Sequence, residues 1–343
     1  MRLLFVKLKH IGDSLLLTPT LVAVRSTYPE ARIWVVVRRG CEGILSGCTA
    51  IDRVLTAAAP ETGKRSRCNW WQDLRTIREL RRDGFDYAFE LSDGDRGRWL
   101  AALSGAAVRC TNGAGRPLNG WWKRRFNCIS PFPWQGRHRV EKDFFTVNEG
   151  LPLKGEVPPL LFARERCQAW PPAAGISNYA VIHPGTRWRR KRWLKEKWVE
   201  LGRYLLERHS RLVISAGPDA EEAAFAGELH SAFGGRALNT AGQASWGQLA
   251  GLLHGAKLFV GVDTAAMHLA AACQCPTVAI FGPSNAAEWR PWRVPHRLVT
   301  ARGRVSPGSG APPAESLAES ATSEVKVRAV IDACEDLLAF PPV

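Results

Sequence analysis

Asp263-Thr264-Ala265-Ala266-Met267-His268 follows the apolar run 257–262 and opens a stretch of helical composition that ends at Ala272. A strand that stops at Asp-Thr and turns into a helix leaves free backbone N–H groups and the positive end of the helix dipole at a sheet's carboxyl edge. That chemistry suits a phosphate. Asp263, Thr264, Ala265 and Ala266 sit where such a ligand would be gripped, and the small alanines let a bulky one approach. His268 lies one turn beyond Thr264 on the same face. It reads either as a packed core histidine or as a ligand contact. A second strand end, His183-Pro184-Gly185-Thr186-Arg187, leads into Lys191-Arg192-Trp193. Gly185 admits a ligand to the backbone, Thr186 brings a hydroxyl, and Lys191 brings a point charge suited to phosphate. Gly217-Pro218-Asp219-Ala220-Glu221-Glu222 turns into a helix; its acids either meet ribose hydroxyls or simply complement the helix dipole.

Near the amino terminus the apolar run 3–8 leads into Lys9-His10-Ile11-Gly12-Asp13-Ser14. By residue type alone Asp13 is best explained as a helix N-cap. The alternative is a carboxylate at the sheet edge that works as a general base. Asp93-Gly94-Asp95 has the form of a pair that bridges a divalent ion and a diphosphate, although two acids around a glycine are ordinary turn chemistry.

The elements that must carry these residues alternate. Strands are expected at 3–8, 33–37, 53–55, 87–91 and 108–111, with helices at 14–28 and 73–82. The scheme repeats with strands at 180–183, 212–216, 258–262 and 277–281 and helices at 195–208, 219–233, 245–253 and 264–272. This βαβα order predicts parallel sheets with helices on both faces. A Pro-punctuated connection, 151–172, separates the halves; 303–323 is rich in Ser, Pro, Gly and Ala, and a last helix is expected over 325–338.

With 343 residues, 45% of them hydrophobic, the chain can bury two ordinary cores. No apolar stretch approaches the roughly 20 residues needed to span a bilayer. The first residues, interrupted by Lys7 and Lys9, read as a strand rather than a signal peptide. Nine scattered cysteines without Cys-x-x-Cys spacing read as reduced core thiols of a cytoplasmic protein. The net charge of +15 points to polyanionic partners. It is concentrated in two clusters. One holds Arg187, Arg189, Arg190, Lys191, Arg192, Lys195 and Lys197; the other runs from Arg116 to Lys142 and is interleaved with Trp121, Trp122, Phe126, Phe132 and Trp134.

Together these residues resemble glycosyltransferase family 9, the lipopolysaccharide ADP-heptose heptosyltransferases, over nearly the whole chain. Residues 7–13 are similar to the family's amino-terminal segment ending in Gly-Asp. Lys191-Arg192-Trp193 is similar to its Lys-x-Trp, and Asp263 to His268 to its Asp-[Thr/Ser]-[Gly/Ala]-x-x-His. Gly12 to Pro19, Trp121 to Phe126, and 281–292 look most like heptosyltransferase III members.

The resemblance implies an α/β GT-B fold, two Rossmann-like doubly wound domains facing across a cleft. An acceptor domain would span 1–165 and a nucleotide-sugar donor domain 175–323, with a C-terminal helix in 324–343 able to cross back. It implies an inverting transfer of heptose from ADP-L-glycero-D-manno-heptose to a heptose of the lipopolysaccharide inner core, with no metal or other cofactor. Asp13 becomes the general base, which reverses its reading as a cap. Thr186, Lys191 and the groups at Asp263, Thr264, Ala265 and Ala266 would hold the diphosphate, Glu221 the ribose, and His268 the diphosphate or sugar. The acceptor, Kdo2-lipid A carrying heptose, is polyanionic, so Lys7, Lys9, Arg116, Lys123, Arg124 and Arg139 are its expected contacts. The same basic, Trp-bearing surface suits the anionic inner leaflet, which implies a peripheral protein on the cytoplasmic face of the inner membrane. The competing readings are a transferase with another nucleotide sugar or a protein acceptor and, lower, a nucleic-acid-binding protein. No nucleic-acid-binding signature supports the last.

Overall fold

The computed structural model describes residues 1–58, 70–114, 117–305 and 321–339. The chain divides into two compact units, Met1–Leu161 and Phe162–Val343.

Among the described residues the first unit holds six strands: β1 (Arg2–Lys7), β2 (Arg32–Arg38), β3 (Arg53–Ala57), β4 (Tyr87–Glu90), β5 (Val108–Asn112) and β6 (Cys128–Ser130). They form one sheet in the order β3-β2-β1-β4-β5-β6, parallel throughout. Leu3, Leu4, Phe5 and Val6 of the central strand are fully buried, as a parallel strand covered on both faces must be. Its helices are α1 (Ile11–Leu15), α2 (Thr18–Thr27), α3 (Trp70–Asp83), α4 (Asp95–Leu103), α5 (Gly120–Lys123) and α6 (Arg139–Gly150). The single helix expected over 14–28 is therefore two. Pro19 stands in the first turn of α2, where its missing N–H costs nothing; one unbroken helix would place it in the interior, where it breaks the ladder.

The second unit repeats the design with β7 (Tyr179–His183), β8 (Arg211–Ile214), β9 (Ala237–Asn239), β10 (Leu258–Val262), β11 (Thr277–Ile280), β12 (His296–Thr300) and β13 (Gly303–Val305). The order is β13-β12-β11-β10-β7-β8-β9, and β13 alone runs antiparallel, on the edge. Around it lie α7 (Lys195–Arg208), α8 (Ala220–Phe233), α9 (Trp246–Gly255), α10 (Ala265–Ala272), α11 (Ala286–Trp289) and α12 (Val327–Ala339). Asp219 caps α8 by accepting the Glu221 and Glu222 N–H groups, and Ser245 caps α9 by accepting from Gln248 N. The final helix, expected to be able to cross back to the first domain, is built into the second unit. Its buried stripe, Val327, Val330, Ile331, Cys334 and Leu337, joins the core formed by β7, β8, β10 and β11.

Candidate active site

In both sheets the strand order reverses at a switch point, between β1 and β4 in the first and between β7 and β10 in the second. Open α/β sheets bind ligands outside the carboxyl ends of the strands at such points.

In the first unit that position holds the β1–α1 turn. Asp13 is the third residue of α1 and His10 is its N-cap. Asp13 Oδ2 accepts the His10 N–H at 3.2 Å, so the carboxylate lies inside the first turn rather than at the cap, mostly buried. Lys7 does not meet the expectation of an acceptor-binding lysine. It is 3% exposed, and its Nζ donates to Asp143 Oδ2 at 2.6 Å. Burial works against its charge, but Asp143, Asp13 and Asp93 outweigh that and hold the ammonium above the ordinary lysine range.

Lys142, also buried, bonds Asp93 Oδ1, and Lys9, half-exposed, keeps its Nζ 3.8 Å from Asp93 Oδ2. Against its own burial, the Lys142 ammonium beside it, with Lys7 and Lys9, holds the Asp93 carboxyl below the usual range. Asp95 points elsewhere: its Oδ1 accepts from Arg98 at 3.0 Å and from Trp122 Nε1 at 3.1 Å. The two acids of the Asp93-Gly94-Asp95 turn thus serve different protein donors.

The remaining expected acceptor residues fall into three groups. Lys123 and Arg124 are exposed at the end of α5. Beside them Trp121 is partly exposed, packs on Trp99 and Trp122, and carries the Arg125 guanidinium 4.6 Å above its ring. Arg139 stacks over Trp134 at 3.9 Å, a geometry that leaves it half-buried. Arg116 lies outside the described residues.

In the second unit Thr186 and Lys191 follow β7, and Asp263, Thr264 and His268 follow β10, its parallel neighbour in the sheet. Lys191 Nζ donates to Asp263 Oδ2 at 2.6 Å. Asp263, expected to contact the diphosphate, is instead bonded to the lysine; two anions face to face would repel, whereas an Asp that holds Lys191 in place serves an anion well. Helix α10 starts at Ala265 with no side-chain cap, so its first N–H groups lack intrahelical acceptors. Thr264 Oγ1 is buried and makes no hydrogen bond. Thr186 is buried, its Oγ1 accepting from Trp188 N at 3.3 Å, and His268 is 3% exposed.

The loop that carries Lys191 is anchored from a distance in the chain that no motif announces. Thr322 Oγ1 donates to Arg190 O at 3.3 Å, Trp193 Nε1 to Val325 O at 2.9 Å, and Lys197 Nζ to Val325 O at 2.8 Å.

Glu221 is not the acid that faces this turn. Its carboxylate is held from outside by Arg192, with two bonds of 2.9 Å, and by Arg189 at 3.0 Å. Glu222 turns inward: a Cβ added to Gly185 would meet its Oε2 at 2.6 Å, and that oxygen also lies 3.3 Å from the Gly217 N–H. Burial pushes the Glu222 carboxyl up. Adjacent positions on a helix point about 100° apart, so only one of the Glu pair can line the turn.

His183, the last residue of β7, is buried, with Nδ1 2.9 Å from Ser215 Oγ. Burial lowers its pKa from 6.5 to about 4. In the unfolded chain it titrates near 6.5, so the unfolded state binds the extra proton first as pH falls. Stability contributed by the neutral ring is full above pH 6.5 and is lost as pH drops towards 4, by about 3 kcal/mol at roughly 1.4 kcal/mol per unit. Urea unfolding between pH 7 and pH 4 should show that slope in the wild type and lose it in His183→Asn; an unchanged slope would assign it to other groups.

The family model of glycosyltransferase family 9 (heptosyltransferase) matches residues 74–307. The chain belongs to glycosyltransferase family 9. It is a glycosyltransferase, and the relatives it matches are lipopolysaccharide heptosyltransferases. Lipopolysaccharide heptosyltransferase 3 of Escherichia coli K12 is 28% identical over 301 residues, covering 83% of each chain. Lipopolysaccharide heptosyltransferase 1 of Pseudomonas aeruginosa PAO1 is 30% identical over 296 residues, covering 83% of this chain and 79% of the relative. Among solved structures, the E. coli heptosyltransferase WaaC with ADP superimposes with a TM-score of 0.79 at 21% identity, over 98% of this chain and 100% of that one. Such likeness shows the fold, the GT-B class of two Rossmann-like α/β units. No helix among the described residues is long and apolar enough to cross a membrane.

Proposed function

We propose that this glycosyltransferase moves heptose from ADP-L-glycero-D-manno-heptose to a heptose of the lipopolysaccharide inner core, with inversion at the anomeric carbon. The observation that supports the donor half is the uncapped start of α10, with its unbonded Thr264 hydroxyl, beside a lysine oriented by Asp263. Backbone N–H groups of Ala265 and Ala266, the Thr186 and Thr264 hydroxyls and Lys191 bind the diphosphate and offset the charge that grows on it as it leaves. His268 lines the same turn. Glu222 takes the ribose role first given to Glu221.

Asp13 removes the proton from the acceptor hydroxyl while that oxygen bonds to the anomeric carbon. The carbon's bond to ADP breaks, and the electron pair leaves with the diphosphate. The positive charge comes from Lys191 and the helix end, so no metal or other cofactor is assigned a role. Lys123, Arg124 and Arg139 offer cations to the acid sugars of a Kdo2-lipid A acceptor. The exposed Trp99 and Trp121 beside them suit the headgroup region of an anionic cytoplasmic leaflet, which supports a peripheral protein on the inner membrane's cytoplasmic face.

Thermal-shift titration tests the donor. ADP-heptose should stabilise the wild type and UDP-glucose should not. Glu222→Ala should weaken ADP-heptose about tenfold, the worth of one charge-assisted hydrogen bond, while Glu221→Ala changes it little. Stabilisation by UDP-glucose alone would overturn the donor assignment, and equal effects of the two variants would overturn the role of Glu222. Transfer onto core-truncated lipopolysaccharides of defined length then identifies the acceptor.

A further inference from the structure

Cys110 on β5 and Cys128 on β6 are in-register partners on neighbouring parallel strands. Both are free thiols, and their sulfurs lie 2.8 Å apart. Neighbouring strands run about 4.8 Å apart, within the roughly 4.4–6.8 Å between Cα atoms that a disulfide spans. The bond therefore needs side-chain rotation and little backbone movement. Gly150 closes α6 over the pair. A Cβ there would stand 3.0 Å from Cys128 Sγ and 3.3 Å from Cys110 Sγ, so the glycine leaves room for both sulfurs.

The two thiols are not equivalent. Cys110 is fully buried, whereas Cys128 is half-exposed. The hydrogen bond from Cys110 also pulls the Cys128 thiol below its ordinary value, against its own partial burial. An accessible, acidified thiol beside a buried second thiol is the arrangement in which one sulfur meets an oxidant and the other resolves the product. Disulfides in reducing compartments are characteristically of this transient kind.

We propose that Cys110 and Cys128 are a reversible oxidation site whose oxidant is a hydroperoxide. The Cys128 thiolate attacks the outer peroxide oxygen, the O–O bond breaks, and water or an alcohol leaves, giving a sulfenic acid. Cys110 then gives up its proton, its sulfur bonds to Cys128 Sγ, and the sulfenic oxygen leaves as water. Two thiols are oxidised by two electrons and one peroxide is reduced. A small thiol such as glutathione reverses the bond by exchange. The closed disulfide staples the base of residues 111–127, the segment that carries Trp121, Trp122 and the exposed Lys123 and Arg124.

The experiment treats the full-length protein with hydrogen peroxide and follows intact mass and disulfide-linked peptides. The wild type should lose 2 Da, yield a single peptide linking positions 110 and 128, and return to its starting mass with dithiothreitol. Cys110→Ser should trap Cys128 as a sulfenic acid, a gain of 16 Da captured by dimedone, and Cys128→Ser should do neither at the same dose. Circular dichroism before treatment confirms that each variant is folded. A wild type that is oxidised without the linking peptide, or a 2 Da loss that persists in both serine variants, overturns the proposal.

Discussion

Asp13→Asn is expected to lower transfer turnover by about 100- to 10,000-fold, the range that a positioned general base contributes. The substitution removes the proton acceptor and one of the three carboxylates that support the Lys7 ammonium, of which Asp143 and Asp93 remain. Asp13 Oδ2 accepts the His10 N–H at 3.2 Å, and an Asn side-chain oxygen can accept the same bond, so the start of α1 is retained. The volume is unchanged at a mostly buried position. Donor affinity, assigned above to the second unit, should therefore stay within about twofold, and the melting temperature should move little. Steady-state transfer together with an ADP-heptose thermal-shift titration separates these effects. Near-normal turnover would remove Asp13 from the base role, and a collapsed melting temperature would show that its role is structural.

The largest stability effect is expected from Lys7→Met. The Lys7 ammonium is buried against Asp143 at 2.6 Å, and both side chains are almost wholly shielded from solvent. Asp143 Oδ1 is also buried and makes no hydrogen bond. Removing the lysine leaves a carboxylate with one fewer cation in a low-dielectric site, a change that costs about 3–5 kcal/mol when a buried pair is broken on one side. Lys142, close by, is already engaged by Asp93. Replacing both partners, Lys7→Met with Asp143→Leu, should recover most of the loss, because the apolar pair has no desolvation to offset. Urea unfolding of the single and double variants checks this. A single-variant loss below about 1 kcal/mol would mean that the pair is neutralised or hydrated in the native state.

These two residues mark the division between what the chain announces and what it conceals. Lys7 and Asp13 belong to one short motif and both carry charge; the family resemblance, not residue type, assigns Lys7 to the acceptor and Asp13 to the base. Both are buried; the difference between them is the partner. Lys7 ends a strand whose residues Leu3 to Val6 are all interior, and its partner, Asp143, stands 136 residues away on α6. Nothing local reports a partner that distant. The same holds for Glu221 and Glu222, identical neighbours on one helix. Either could have been chosen from composition; the phase of α8 relative to Gly185 turns Glu222 inward and gives Glu221 to Arg189 and Arg192. Asp263 was legible as an acid at a strand end but not as the residue that holds Lys191, since the two lie 72 positions apart.

Periodicity, by contrast, needs no distant information. The apolar runs that became β1, β2, β4, β7, β8, β10 and β11, and the helical stretches of α3 and α7, were readable because strands buried on both faces and amphipathic helices impose their patterns locally. The short edge strands β6, β9 and β13 carry too few residues to show any period, and Pro19 divided a helix whose hydrophobic pattern ran straight through it. The sequence by itself determined the fold class, the two-unit organisation and the strand-to-helix turns at the sheet edges, because strand ends, helix starts and small residues are local properties. Only the tertiary structure decided which charges face a ligand, which are held by one another, and that two cysteines 18 residues apart share one contact. Pairing and burial depend on elements that meet through the sheet order, and no residue's neighbours in the chain carry that information.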